Sequence, residues 1–221
     1  MTFHGQWNPP VDQVLYENYF RDKRSGFFIE CGAFDGRLDS CCLFFEETMG
    51  WSGINIEPSP ELFERLKKNR PHSTNVMLAL SDRVGESPFW DISSPSGAAR
   101  GAGSIGPPAG LKQHVAESGA SFVPVPSIRL STYQEVWAME GNPKVDLLVL
   151  DVEGWELQVL SGMMAGRQGL PSVLCVEYNW VGLGGISSIV DKEYEFNFKS
   201  FNNAFFSKRA EIAKPKGWGA N

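Results

Sequence analysis

The chain has 221 residues, 42% of them hydrophobic and 21% charged, and a formal net charge of −6. That length is enough for one domain with a full core, and the composition is ordinary for a globular chain. The acidic balance disfavours a duplex nucleic-acid partner, which needs a basic footprint, and no run approaches the roughly 18 apolar residues of a membrane span.

In chain order, the start MTFHGQWNPPVDQ has no charged region leading into an apolar one, so no signal peptide is expected. GFFIECG (26–32) reads as the first buried strand, followed by a helix from about Ser40 to Met49 that Gly50 stops. WSGINIE is the second strand. PSPELFERLKKNRP then reads as a helix: Ser59 caps, Pro60 takes the first position, and the basic run at 65–70 lies at its C-terminal end. NVMLALSD is the third strand. The stretch 93–120 is rich in Gly, Ser, Ala and Pro and reads as one long loop, a candidate lid within a single domain of core 11–208. SFVPVPSIRL suits an edge strand or hairpin because of its prolines. STYQEVWAME opens with a capping box, Ser131 with Gln134 or Thr132 with Glu135. VDLLVLD and SVLCVEY are continuous apolar runs, as in central parallel strands. EYEFNFKSFNNAFFSKR gives two more strands around a turn near Asn202 and Asn203, and the tail after Lys208 is expected to fray. Cys31, Cys41, Cys42 and Cys175 form no C-x-x-C pair and read as reduced, mostly buried thiols of a cytosolic protein.

Strands alternating with helices imply a parallel α/β sheet, whose ligands bind beyond the carboxyl ends of the strands. Those ends carry Glu30 and Asp35, Glu57, Asp82, Asp151 with Glu153, and Glu177. Gly32 and Gly36 allow close backbone approach to a ligand. Glu57 lies roughly 20 residues after the glycine turn, the spacing of an acid that holds a ribose diol. The G-x-G-x-x-G order is broken by Phe34 and Asp35, and no Walker sequence occurs. A pyrophosphate would meet like charge here, whereas a cationic, phosphate-free nucleoside would meet attraction. S-adenosylmethionine is such a ligand. The plainer reading is a tight structural turn, with Glu30 or Asp82 serving as caps.

FFIECGAFDG, GWSGINIEPSPELFERLKKNRP, LALSD, VPSIRLSTY and VDLLVLDVEGWELQVLSG, in that order, resemble the FkbM family of S-adenosylmethionine-dependent methyltransferases. The resemblance implies a class I methyltransferase fold, a Rossmann-like three-layer sandwich. Its seven-stranded sheet is mostly parallel, with an antiparallel strand near the C-terminal edge. It implies that Glu30, Gly32, Ala33, Asp35 and Gly36 surround the methionine part and ribose, and that Glu57 holds the ribose. Ile56 and Pro58 would lie near the adenine, Ser81 and Asp82 at its edge, and Asp151 near the reacting methyl. It departs from the usual class I turn in carrying Phe34 where a further glycine stands. The family implies O-methylation of a small hydroxylated or sugar-containing acceptor. An alcohol needs a base, a metal or both, and Asp151, Glu153 and Glu177 are the candidate catalytic acids. They could hold Mg²⁺, with Asp151 and Glu177 as ligands, or keep one member protonated and bind no metal. Glu153 could instead cap the helix near Trp155. His114 in the long loop is a candidate acceptor contact or lid-borne base, against the plain reading of a solvated loop histidine. Trp155, Tyr178 and Trp180 follow strand ends and could line an acceptor pocket; Tyr178 and Trp180 are the preferred aromatic walls, while Trp155 is expected rather to pack at its helix start. Two other readings stand beside this one: an NAD-dependent oxidoreductase on a related sheet, and a non-catalytic binding module that keeps the fold.

Overall fold

A computed structural model of the protein describes residues 1–94 and 101–209. Residues 95–100 of the predicted loop, and the predicted frayed tail from 210 onward, lie outside the described residues.

The strands are β1 (Phe27–Cys31), β2 (Ser52–Ile56), β3 (Thr74–Val76), β4 (Ala79–Leu80), β5 (Gly85–Ser93), β6 (Ser121–Ser131), β7 (Leu147–Leu150), β8 (Val173–Glu177), β9 (Tyr194–Ser200) and β10 (Asn203–Lys208). A seven-stranded sheet runs β3-β2-β1-β7-β8-β10-β9. β10 is antiparallel to both β8 and β9, and the remaining pairs are parallel. This is the expected α/β class I methyltransferase sheet, its antiparallel strand one in from the C-terminal edge.

The apolar runs are central because both faces of each strand are covered. In β7, Leu148 and Leu150 pack in one core with Val159, Met163 and Ile186, while Leu147 and Val149 point to the other with Phe28, Phe44 and Phe45. Period-two alternation makes one strand serve both layers. The covering helices are α1 (Val11–Leu15, continued by a π turn), α2 (Leu43–Met49), α3 (Pro60–Asn69), α4 (Ala109–Glu117), α5 (Tyr133–Ala138), α6 (Glu156–Gly166) and α7 (Leu183–Val190). The expected stops and caps are present. Gly50 ends α2 in the left-handed region at φ 70. Ser59 Oγ accepts from Leu62 N at 3.4 Å with Pro60 behind it. Thr132 Oγ1 accepts from Glu135 N at 3.3 Å, so Thr132 is the cap of α5.

Three expectations change. The stretch 93–120, read as one long loop, carries the helix α4, which buries Leu111 and Val115. The third predicted strand breaks after Val76: β3 stays in the main sheet, and β4 joins a second sheet of order β4-β6-β5. SFVPVPSIRL is the middle strand there rather than an edge. β4 reaches it only at Leu130 and Ser131, so Pro124 and Pro126 have a partner strand on one side alone and remove no ladder bond on the other. All four cysteines are unpaired, Cys41 half-buried and the rest buried. Among the described residues no helix is long and apolar enough to cross a membrane.

Candidate active site

The strand order reverses between β1 and β7, and the crevice of such a sheet opens beyond the carboxyl ends at that point. The turns after β1 and β7 meet there so closely that a Cβ on Gly32, at φ +79, would stand 1.8 Å from the Asp151 carbonyl oxygen. No other residue fits that position. Phe34, in place of the further glycine, nevertheless adopts the left-handed φ of 52 that a glycine would take freely. Its N–H donates to Glu57 Oε2 at 2.9 Å, and Ser59 N donates to Oε1 at 2.8 Å. Glu57 is buried, and burial pushes its carboxyl up to about 8.

An inner cavity lies beside Glu57. Its walls are Ile56, Pro58, Leu80, Asp91 and Trp155, and a strap from Gly101 to Ile105 covers it. Ser104 pairs with Trp90 through two backbone bonds of 2.8 and 2.9 Å and donates its hydroxyl to the Glu153 carbonyl at 2.8 Å. With the strap in place the free space is about 40 Å³.

The outer cavity, about 580 Å³, shares Gly32, Gly101 and Asp151 with the inner one. Asp151, Glu153 and Glu177 bring carboxylate oxygens within 4.8 Å of one another on its wall. Asp151 exposes surface, yet that surface is cavity wall deep among protein atoms, and burial pushes its carboxyl up to about 6. Glu177 is buried, and its Oε2 finds no donor. Burial first, and then the charges of Asp151, Glu153 and Glu156, push it up to about 11, so at neutral pH Glu177 carries a proton and offers it to Asp151. Burial also holds Glu153 well above the carboxylate range. Its Oε2 accepts from Trp180 Nε1 at 2.6 Å, which fixes that indole on the cavity wall.

The N-cap of α6 is Trp155, with no side-chain cap bond, so Glu153 does not cap the helix; the Glu156 carboxylate, in its first turn, accepts from Val152 N and Gly154 N at 3.1 Å and holds the turn before it. Glu30 and Ala33 line the outer cavity, but Glu30 is committed to Arg70 Nη1 (3.4 Å), Ser40 Oγ (3.0 Å) and Cys41 N (2.7 Å). Asp35 Oδ1 accepts from Arg37 N and Leu38 N and holds the turn. Gly36 lies under α3, where a Cβ would meet Leu66 at 2.5 Å. Ser81 and Asp82 line neither cavity: Ser81 is buried, and Asp82 pairs with Arg83 at 3.2 Å. Tyr178 lines neither as well, its hydroxyl donating to the Phe201 carbonyl at 2.9 Å. His114 sits in α4, on the outer wall, with its ring 6.2 Å from that of Trp180. Sequence reasoning missed Asp91, Asp39, Trp7, Asn179 and Asn202, and it set Trp155 to pack at its helix start ahead of lining an acceptor pocket, whereas Trp155 lines the inner cavity. None of these carries a local motif.

A family model described as the methyltransferase FkbM domain matches residues 30–198. The chain belongs to the FkbM methyltransferase family. Among solved structures it is similar to an FkbM methyltransferase from Methylobacillus flagellatus, at 14% identity and a TM-score of 0.53 over 90% of this chain and 48% of that one. This family member thus spans about half the length of the Methylobacillus protein, and the likeness bears on the fold. Weaker likenesses are to a TehB-like methyltransferase from Corynebacterium glutamicum (12% identity, 90% and 88% of the two chains, TM-score 0.44). Another is to an RNA methyltransferase from Salinibacter ruber in complex with S-adenosyl-L-homocysteine (12%, 95% and 96%, TM-score 0.43). No curated protein matches the chain significantly.

Proposed function

We propose that this protein transfers a methyl group from S-adenosylmethionine to a hydroxyl of a small acceptor, with the nucleoside in the inner cavity and the acceptor in the outer one. The observation that carries the reading is Asp151, which both cavities share, paired with Glu177 on the outer wall. The inner residues suit an adenosine. Apolar Ile56, Pro58 and Leu80 face a flat base, and the Glu57 carboxyl, each oxygen already holding one backbone N–H, has capacity left for a ribose hydroxyl. Among the described residues no lysine or arginine lines that cavity to receive a phosphate, which disfavours a dinucleotide there.

When bound, S-adenosylmethionine supplies an electrophilic methyl on a sulfonium. The chain supplies alignment and a place for the proton. Asp151, with its carboxyl near 6, is ionised at neutral pH and close enough in pKa to act as a base toward the acceptor hydroxyl. Glu177, protonated, donates to Asp151 and holds its carboxylate in one orientation. The Trp180 indole keeps Glu153 turned onto the wall of the acceptor space. A Mg²⁺ ion on Asp151 and Glu177 is the second reading, favoured by the 4.8 Å grouping of the three acids.

Incubation with methyl-labelled S-adenosylmethionine and a small-molecule extract, with and without chelator, tests the reading. Label is expected in a low-molecular-weight ether, and chelator-insensitive transfer supports the proton-sharing pair over the metal. Label on nitrogen, or no transfer by a protein that binds S-adenosylhomocysteine, would count against it.

A further inference from the structure

The N-terminal segment is folded back over the outer cavity by one buried acid. Asp12 is fully buried, and its carboxylate accepts from His4 N (2.7 Å), Gly5 N (3.0 Å) and Gln13 N (3.1 Å). Gly5 in turn forms a backbone bridge with Asp39, on the loop after β1. Closing the hook turns Trp7 into the left-handed region, at φ 81, and brings its indole onto the cavity wall. There the indole stacks on Phe201 with ring centroids 5.0 Å apart and planes 8° from parallel. Both residues remain partly exposed, at 38% and 47%. A strained backbone and an immobilised, half-open tryptophan at a cavity mouth have the build of a binding platform.

The charges on the same wall restrict what can lie there. Glu30 is neutralised by Arg70, and Glu177 shares its proton with Asp151. Asp151 keeps its charge where the wall meets the inner cavity; Asp39, beside the hook, lines the cavity too, is exposed, and its carboxylate has no hydrogen-bond partner among the described residues. No lysine or arginine stands among the described lining residues to meet an anion, whereas Asn179 and Asn202 offer neutral polar groups.

We propose that the hook from His4 to Asp12 is the specificity wall of the acceptor site, with Trp7 as its platform and Asp39 as its charge filter. It selects ring-shaped polyols that carry no negative charge and prefers those bearing a protonated amine. The inference rests on the outer cavity being the acceptor space. Docking an apolar ring face on Trp7 leaves hydroxyls free for the asparagines, and an ammonium close to Asp39 gains about fivefold in affinity over a neutral group.

Saturation-transfer NMR on the wild-type chain, with and without S-adenosylhomocysteine, tests this with methyl glucosaminide, methyl glucoside and glucose 6-phosphate as probes. The amine probe is expected to bind about fivefold tighter than the neutral one, and the phosphate not to bind. Trp7→Ala is expected to lose both sugars, Trp7→Phe to recover them, and Asp39→Asn to shrink the preference for the amine probe. Phosphate binding as well as the amine, sugar binding unaffected by Trp7→Ala, or no sugar binding at all would overturn the proposal. Sugar binding without any S-adenosylhomocysteine binding would strike the methyltransferase reading and leave this one standing.

Discussion

The backbone N–H of Phe34 donates to Glu57 Oε2 at 2.9 Å, so the turn after β1 and the acid after β2 form one unit. Glu57 thereby both supports the fold and faces the inner cavity. Glu57→Ala removes the acceptor of two backbone donors and the ribose partner together. The variant is expected to lose about 1–3 kcal/mol of stability and to bind S-adenosylhomocysteine at least about tenfold more weakly. Chemical denaturation and calorimetry measure the two effects. Unchanged affinity would move the ribose elsewhere.

Arg70 predicts the opposite separation. It is fully buried between Glu30 and Glu46, with Nε 2.7 Å from Glu46 and Nη1 3.4 Å from Glu30, and Nη1 also holds the Gly36 carbonyl at 3.2 Å. Removing one member of a buried pair strands the other charge, at about 3–5 kcal/mol. Arg70→Met is expected to show that loss in denaturant unfolding. Adding Glu30→Met to it should recover part of the loss, because the stranded carboxylate goes too. A double variant no more stable than the single one would deny the coupling.

The acid cluster makes stability depend on pH. Glu177, pushed up to about 11, holds a proton in the folded state that it loses above about 4.5 when unfolded. The folded state therefore binds more protons through the neutral range, and stability falls as pH rises from about 5 toward 11, by at most about 1.4 kcal/mol per pH unit for one group. Glu57, near 8, and Asp151, near 6, act in the same direction. Melting curves from pH 5 to 9 are expected to show a declining midpoint, and Glu177→Gln to flatten the decline. A midpoint that climbs across that range would contradict the protonated pair.

Much of this was legible in the sequence, and the residues that were not share a cause. β1, β7 and β8 announce themselves because burial on both faces demands unbroken apolar runs. β5 does not, since GESPFWDIS buries only Phe89 and carries Pro88. α4 hides in a glycine-rich stretch because only Leu111 and Val115 need to be apolar. The acids were visible as strand ends, but their division of labour was not. Glu30, which lines the outer cavity, is also ion-paired with Arg70, 40 residues away, a residue the sequence showed only as part of a basic helix end. Trp7 reaches the cavity through bonds from Asp12 to the backbone, a relation without spacing or motif.

The strap yields the last prediction. Small-molecule sites hold about 300–1,000 Å³, and the inner cavity beneath Gly101–Ile105 leaves about 40 Å³. A nucleoside therefore reaches Glu57 only after the strap shifts and the Trp90–Ser104 backbone pair opens. Its association should be gated: the observed rate, followed through the fluorescence of Trp90 and Trp155 in stopped flow, is expected to level off as S-adenosylhomocysteine is raised. Ser104→Ala deletes the hydroxyl bond to the Glu153 carbonyl and should raise that plateau by about fivefold, the equivalent of one ordinary hydrogen bond. A rate that climbs linearly to the highest concentration, unaltered by Ser104→Ala, would mean that the strap does not gate the cavity and that the nucleoside enters past Gly32 and Asp151 from the outer side.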